Sequence, residues 1–573
     1  MIRLDEIQSL IGEKLSGHKA WQHASYVSQF IRTPGSAGER RTVQYAREQL
    51  EKYGLDKVFT VKYPSKEHRT EDFSFVGWDI RDARLELVEP IRETITSFDQ
   101  SPTCVQPWSK STPSGGVVAE LVDVGRGVDE SDYLGKDLLG KIALASGDGH
   151  AEGNTQAYLL SVEEHKAIGL ITDNLIRQQP PFRLRENCPD SISFLRVPSR
   201  KGDGWGFTIS HTQGERLRSL LGKGPLKLRV FIDAEMTQGN GEVLVGEIRG
   251  KGNPDQEIWV VAHSSGSKPG GNCAGGVGLW IETARVITAL REKIPNPERT
   301  IRFLLGTEGL GISAYVKSHP ETIGGVVAAL VYCSVGNDQF KCSSSLVLYK
   351  SPESIPSFVN DLCAHTIEQV SKDALPPFKD MTRDIQLVRF NVLPYTPWSD
   401  NAELTALKIP CPLFMSWPDI HFHTQFSTAD KLDPAVLKRC GEVTTGVALT
   451  IATAGTLEAT LIGHIVRTRA VSKLVNVSVQ AISQLLGVIR QASNREILDR
   501  EIEREVDDIV IRRKGELAYL VERSLAAIRS LELLSGDSTW EMQASQFVND
   551  ILSRKKIEEE KIDGFRSTIL WRT

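Results

Sequence analysis

The chain has 573 residues, 40% hydrophobic and 25% charged, with a formal net charge of -5. Its length exceeds one ordinary domain, so about two to four structural units are expected. The mild acidity gives no general case for nucleic acid or an anionic membrane as partner.

The opening stretch MIRLDEIQSLIGEKLSG carries charges throughout and lacks the apolar core of a signal peptide. The reducing cytoplasm is therefore the expected compartment. Cysteines at 104, 188, 273, 333, 342, 363, 411 and 440 include no CxxC pair, so each is read as a free thiol or a metal ligand.

Within residues 1–75, the run from Ser36 to Gly54 has helical spacing, with Ser36 as its cap, and leads into the strand-like KVFTVKY. Residues 76–235 hold short alternating runs, ARLELVEP, GGVVAELVDVG, GKIALASGDG and AIGLITDN, divided by Gly, Pro and Asp. They read as a β-rich module in which GKIALASG and AIGLITD are two strands joined by an Ala–Gly turn.

Over 236–455 strands and helices alternate. EIWVVAH, RTIRFLLGTE, GVVAALVYC and CPLFMSW read as strands, and GVGLWIETARVITALREK, GISAYVKSH and PAVLKRCGEVTTGVALTIATA as helices. This pattern predicts an α/β unit on a mostly parallel sheet, with functional groups at strand C-terminal ends. The apolar stretch from Val443 to Val466 contains Glu458 and His464, and reads as a buried helix rather than a membrane span.

Residues 456–573 are helical. Leu498, Ile502, Val506 and Ile509, then Leu517, Val521, Leu525 and Ile528, follow steps of three and four, with Asn494 and Gly536 as end caps. A pair of amphipathic helices either packs on the body or joins two copies in a homodimer. The run SRKKIEEEKIDG reads as a solvated helix face.

Five residues of the α/β part carry metal-binding groups: His263 after WVVA, Cys273 in PGGNCAGG, Glu308 in LLGTEGLG, Cys333 in ALVYCSVG, and His423 in WPDIHFHTQFSTADKLDP. Imidazole, thiolate and carboxylate are the usual zinc donors. The glycines of GGNCAGGVGLW lack the G-x-G-x-x-G spacing of a nucleotide loop and fit crowding around a metal site better. Trp398 and Trp417 serve either the core or a substrate pocket.

These blocks, in order, resemble the MH-clan metallopeptidases, the co-catalytic di-zinc aminopeptidase family that includes glutamate carboxypeptidase-like and glutaminyl cyclase-like proteins. The likeness covers about residues 20–75 and 236–455. It is carried by AHSSGSKPGGNCAGGVG, RTIRFLLGTEGLGISAYV and PWSDNAELTALKIPCPLFMSWPDIHFHTQFSTADKLDPAVLKR. Residues 110–235 are similar to a protease-associated domain. The resemblance implies an aminopeptidase-like, mostly parallel mixed sheet sandwiched by helices, a β-rich insert and a C-terminal helical extension. It puts His263 on the first metal, Cys273 where the family has its bridging Asp, Cys333 in place of the second Asp, and His423 on the second metal, with His421 as the alternative. Glu308 keeps one member of an acidic pair, and Ser427 stands where many relatives have an Asp.

Three readings follow. Decay would leave a metal-free pseudopeptidase that binds peptide-like ligands. Yet 8 cysteines in 573 residues make two among five ligand positions a coincidence of about 2 in 1,000 if positions are independent. That favours a retained metal, and hence a zinc hydrolase of a small amide, peptide or amino-acid-like substrate with Glu308 as acid/base or additional ligand. The third reading is a repurposed mononuclear Cys/His centre with zinc, copper or iron doing non-hydrolytic chemistry. Cys273 as a nucleophile would need a nearby base such as His263.

Overall fold

A computed structural model describes residues 4–64, 76–198, 204–238, 240–372, 388–492, 499–535 and 537–572. Three helices lead: α1 (Leu4–Lys14), α2 (Gly17–Val27) and α3 (Ala37–Tyr53). Ser36 caps α3 by accepting from the Glu39 amide, and Gly54 ends it at φ 75°, a left-handed conformation that costs glycine little. Strand β1 (Lys57–Pro64) follows.

The next elements are β2 (Val76–Glu89), β3 (Glu93–Ser97), β4 (Val117–Asp123), β5 (Ile142–Ala145), α4 (Ala151–Tyr158), β6 (Gly169–Thr172), β7 (Gly206–Thr208), α5 (His211–Leu221) and β8 (Lys227–Gln238). They form a seven-stranded sheet in the order β3-β2-β8-β4-β5-β6-β7. The turn expected between GKIALASG and AIGLITD is instead α4 with a π-helical segment over Leu159–Glu164. Strands β5 and β6 run parallel, and parallel neighbours need a crossover that a turn cannot supply. This sheet is therefore mixed α/β rather than purely β.

The larger sheet adds β9 (Asn240–Ile248), β10 (Asn253–His263), β11 (Arg299–Gly306), β12 (Val326–Tyr332), β13 (Ser345–Tyr349), β14 (Phe390–Leu393) and β15 (Leu413–Trp417) to β1. Helices α6 (Gly271–Leu290), α7 (Leu310–Ser318), α8 (Val359–Lys372), α9 (Asn401–Ala406) and α10 (Pro434–Thr453) alternate with them. The order is β1-β9-β11-β10-β12-β15-β13-β14. The central four, β11-β10-β12-β15, are parallel, with antiparallel pairings on either side. Strand β1 pairs with β9 as far as Pro64↔Asn240, and β2 pairs with β8 from Val76↔Gln238 onward. The second sheet thus leaves and re-enters through two neighbouring strands.

Alternation along the central strands feeds two cores. Ile258, Val260, Ala262, Ile301, Phe303 and Leu330 pack toward α2, α3, α6 and α10. Trp259, Val261, Leu304, Val331 and Cys333 pack toward α7 and α9. Burial on both faces explains why these strands read as continuous apolar runs.

The C-terminal part holds α11 (Thr456–Ala492), α12 (Asp499–Arg529) and α13 (Ser538–Arg572). The stretch Val443–Val466 is two helices, not one, because Ala454 turns extended at ψ 132° and Gly455 precedes the restart. Three long helices replace the expected pair. Ile502, Val506, Ile509, Leu517, Val521 and Ile528 are buried as their spacing requires, with Leu525 partly so. The expected caps Asn494 and Gly536, and Leu498, lie outside the described residues.

Helix α2 also carries a stability switch. His23 is buried, its Nδ1 2.7 Å from the Tyr45 hydroxyl and its Nε2 3.3 Å from that of Tyr53. Burial, then the fields of Arg285, Lys19 and Lys52, lower its pKa from 6.5 to about 4. The fold needs the neutral ring, whereas the unfolded chain takes its proton near the ordinary value. The contribution is full above pH 6.5 and is lost as pH falls toward 4, by about 3 kcal/mol in all. Urea unfolding at pH 7 and pH 4.5 is expected to reveal the loss, and His23→Gln to flatten that part of the pH dependence.

Candidate metal centre

The site forms where the parallel strands end together. Strand β10 stops at His263, β11 runs into Glu308, β12 into Cys333, and β15 leads to the loop bearing His423. Open α/β sheets gather their groups at this edge. Ala262 pairs with Tyr332, so His263 and Cys333 follow side by side on adjacent strands.

Cys273 comes from the first turn of α6. The chain reaches it through Gly270, at φ 41° with the Ser267 carbonyl 2.1 Å from where a Cβ would stand, and Gly271, whose Cβ would lie 2.6 Å from the Thr428 carbonyl. Side chains there would collide with backbone, which accounts for the paired glycines. The Ser427 carbonyl accepts from the Gly271 amide at 2.5 Å, tying this turn to the His423 loop.

One ligand atom each from His263, Glu308 and Cys333 lie within 4.8 Å of one another. Cys273 hydrogen-bonds both His263 and His423, and its Sγ lies 3.6 Å from Ser334 Oγ. Cys333 Sγ lies 3.7 Å from the same hydroxyl, with Ser334 held at φ 49° between them. Three of the five expected residues, His263, Glu308 and Cys333, thus cluster, and Cys273 links His263 to His423. His421 does not join them: its neighbours are Lys431, the Lys341 backbone and Asp430.

Residues that the sequence did not single out complete the arrangement. Asp400 Oδ1 accepts from the Gly309 amide at 2.7 Å, and its Oδ2 stands 3.6 Å from His263 Nδ1. Ser399 Oγ donates to Glu308 Oε1 at 2.7 Å and lies 3.4 Å from His263 Nδ1. Behind Cys273, the buried Arg32 donates to the Ser264 and Gly270 carbonyls. Glu39, also buried, accepts from the Ser264 and Thr307 hydroxyls at 2.9 and 2.8 Å. The Ser-Asp dipeptide in PWSDN and the Ser36-x-x-Glu39 spacing were the available signals, and each also fits an ordinary helix cap.

Charge is distributed unevenly over these donors. Burial works to raise the Cys273 pKa, but hydrogen bonds from His263 and His423 bring it down to about 5. Burial pushes Cys333 up to about 12, only partly opposed by His263. His263 is raised well above 6.5 against its own burial by Glu308, Asp400 and Cys273. Glu308 lies below the ordinary carboxylate value although burial opposes this, held there by His263, Ser399, His423 and Arg196. About 45% of the Glu308 side chain remains accessible, so it faces an opening in the ring of donors.

The inserted sheet reaches this opening through residues 174–198. The Phe194 amide donates to the His423 carbonyl at 2.6 Å, the Ile192 amide to Gln425 Oε1 at 2.7 Å, and the Arg183 guanidinium to the Phe422 carbonyl at 2.7 Å. Arg177 lies 5.0 Å over Trp398, whose ring meets Trp417 at 5.2 Å. Phe422 stacks on His423 at 4.0 Å. Among the described residues, Asp173, His211 and Glu215 form a second donor cluster. There Arg218 already bonds both Asp173 oxygens and Glu215, so it is an ion-pair network.

The donor set of the main cluster fits a metal such as zinc: imidazole, thiol and carboxylate converge, with His263 and Cys333 buried, Glu308 at the accessible side and the Asp400 carboxylate near the imidazole. No protein-family profile and no curated protein sequence matches the chain. Solved structures match it in fold. A zinc aminopeptidase from Bacillus subtilis superposes with a TM-score of 0.53 at 19% identity, over 76% of this chain and 94% of its own. A peptidase M28 precursor from Shewanella amazonensis gives a TM-score of 0.55 at 16% identity, over 79% and 97%. The chain thus has an aminopeptidase-like α/β fold with additional C-terminal helices.

Proposed function

We propose that this aminopeptidase-like chain is a metal-dependent hydrolase of small amide, peptide or amino-acid-like molecules. Zinc would be held by His263, Cys273, Cys333 and His423, with Glu308 at the open side. The observation that carries the reading is the convergence of imidazole, thiol and carboxylate within 4.8 Å at the C-terminal edge of the sheet. When bound, the metal would polarise the scissile carbonyl.

The chain's own groups supply the rest. Glu308, ionised and facing the opening, would take a proton from the attacking water and return it to the leaving amine. Ser399 fixes that carboxylate through its 2.7 Å hydrogen bond, and the Asp400 carboxylate, 3.6 Å from His263 Nδ1, would favour the charged ring electrostatically. Segment 174–198 would wall off solvent, with Arg177 and Trp398 along one side. We take the inserted sheet to act as a protease-associated module, and the cytoplasm, where thiol ligands stay reduced, as the working compartment.

One observation favours a second reading: Cys273 contacts His263, which in turn lies beside Asp400, an arrangement able to deliver a thiolate nucleophile. Chelation separates the two. Protein purified anaerobically should contain zinc by elemental mass spectrometry and hydrolyse members of an aminoacyl-anilide and dipeptide panel. Prolonged treatment with a zinc chelator should abolish turnover, and added zinc should restore it. Activity that survives complete removal of metal would overturn the metal-dependent reading and favour the nucleophile.

A further inference from the structure

The turn after β12 is left-handed twice, at Ser334 (φ 49°) and at Gly336 (φ 91°). The second position carries the residue that takes this conformation freely, whereas the first carries serine. Backbone strain of this kind persists only where the surrounding structure imposes it. Ser334 is buried, and β15 pins its backbone: the Ser416 amide donates to the Ser334 carbonyl at 2.9 Å, and Ser416 Oγ accepts from the Gly336 and Asn337 amides. Helix α6 packs against the same turn, since a Cβ on Gly275 would stand 2.1 Å from the Val335 carbonyl.

What serine adds there is its hydroxyl. Ser334 Oγ lies 3.6 Å from Cys273 Sγ and 3.7 Å from Cys333 Sγ, both within the longer hydrogen-bond reach of sulfur. In the second contact the Cys333 thiol is the donor. The hydroxyl has one proton and two lone pairs, so its proton is left for Cys273. Cys333 also meets the Ser399 hydroxyl, but that group gives its own proton to Glu308 Oε1. A glycine at 334 would satisfy the turn and lose both sulfur contacts.

We propose that Ser334 is a positioning residue for both sulfurs: its hydroxyl accepts from Cys333 and donates to Cys273, and it still donates to sulfur once a metal is bound. The last clause rests on the metal-dependent reading above. Thiolates push electron density onto a metal, and a hydrogen bond to the sulfur draws part of it back. Ser334 would thereby keep a sulfur-bound metal able to polarise a carbonyl. Its bonds also tie the first turn of α6 to the end of β12 at the two sulfurs themselves.

Two variants of the full chain test this. Ser334→Ala removes the hydroxyl and keeps the strained backbone, whereas Ser334→Gly removes the hydroxyl and relieves it. In metal-free protein, the Raman S–H band of Cys333, assigned by its loss in Cys333→Ser, is expected at higher wavenumber in both variants. With cobalt(II) as probe, their thiolate-to-metal charge-transfer bands should shift to longer wavelength at wild-type cobalt stoichiometry. A serine that served the turn alone would give a different result, because glycine suits φ 49° and would leave both spectra as in the wild type. The glycine variant therefore decides the matter even if the alanine variant fails to fold. An unmoved S–H band in it would overturn the acceptance from Cys333, and unmoved charge-transfer bands would overturn the donation to metal-bound sulfur. A wild type that binds no cobalt would instead sink the metal-dependent reading, and the S–H band alone would then decide whether Ser334 holds the sulfurs.

Discussion

Changing Cys273 and Cys333 together to serine is expected to lower bound metal from about one ion per chain to below about a tenth, and to remove hydrolysis with it. The two positions are not equivalent in the apo protein. Hydrogen bonds from two histidines lower the Cys273 pKa to about 5, while burial raises that of Cys333 to about 12 and nearby acids raise that of His263. Loading a metal must therefore displace a proton from Cys333 and another from His263. Competition titrations of the wild type should show affinity rising with pH near neutrality, by about tenfold per pH unit or more, since each displaced proton adds up to tenfold. Cys333→Ser alone should lose part of that slope, and Cys273→Ser should lower affinity while keeping the part that Cys333 contributes. Unchanged metal content in the double variant would remove both thiols from the ligand set.

Glu308→Gln is expected to lower kcat about a thousandfold while KM and bound metal stay nearly constant. The amide keeps the shape of the carboxylate and can still meet Ser399 Oγ, but it cannot accept and return a proton. Because Glu308 is held below the ordinary carboxylate value, the acidic limb of kcat/KM should not lie above about pH 4.5 on its account. Stopped assays with metal measured on the same samples would check this. A variant that retains wild-type kcat would show that Glu308 handles no proton. Loss of metal in step with activity would make it chiefly a ligand.

The order of strand ends was open to reading in the sequence because it is local. A buried strand followed by a chemical group reads the same wherever the sheet goes, and His263, Cys333 and Glu308 all sit immediately past such runs. Cys273 and His423 could be seen only through their blocks, since one opens a helix and the other lies on a loop. Asp400 and Glu39 were hidden by ambiguity: an acid beside serine at a helix start caps that helix unless tertiary packing turns it elsewhere. Arg196 gave no signal at all, because its reach toward Glu308 depends on how segment 174–198 docks. The crossover in the inserted sheet was missed for a similar reason, since parallel pairing is a decision of the whole sheet.

The inserted sheet is attached at two places of different kinds. Covalent continuity ties it to the β1–β9 pair at Pro64 and Asn240, and hydrogen bonds tie its far side to the loop from Phe422 to Gln425. In any relative motion of the two sheets the first would act as a hinge pin and the second as a latch. Any swing about the pin would pull, through the Phe194–His423 bond, on the loop that carries His423. Opening a door for substrate and loosening the histidine proposed as a ligand would then be a single mechanical event.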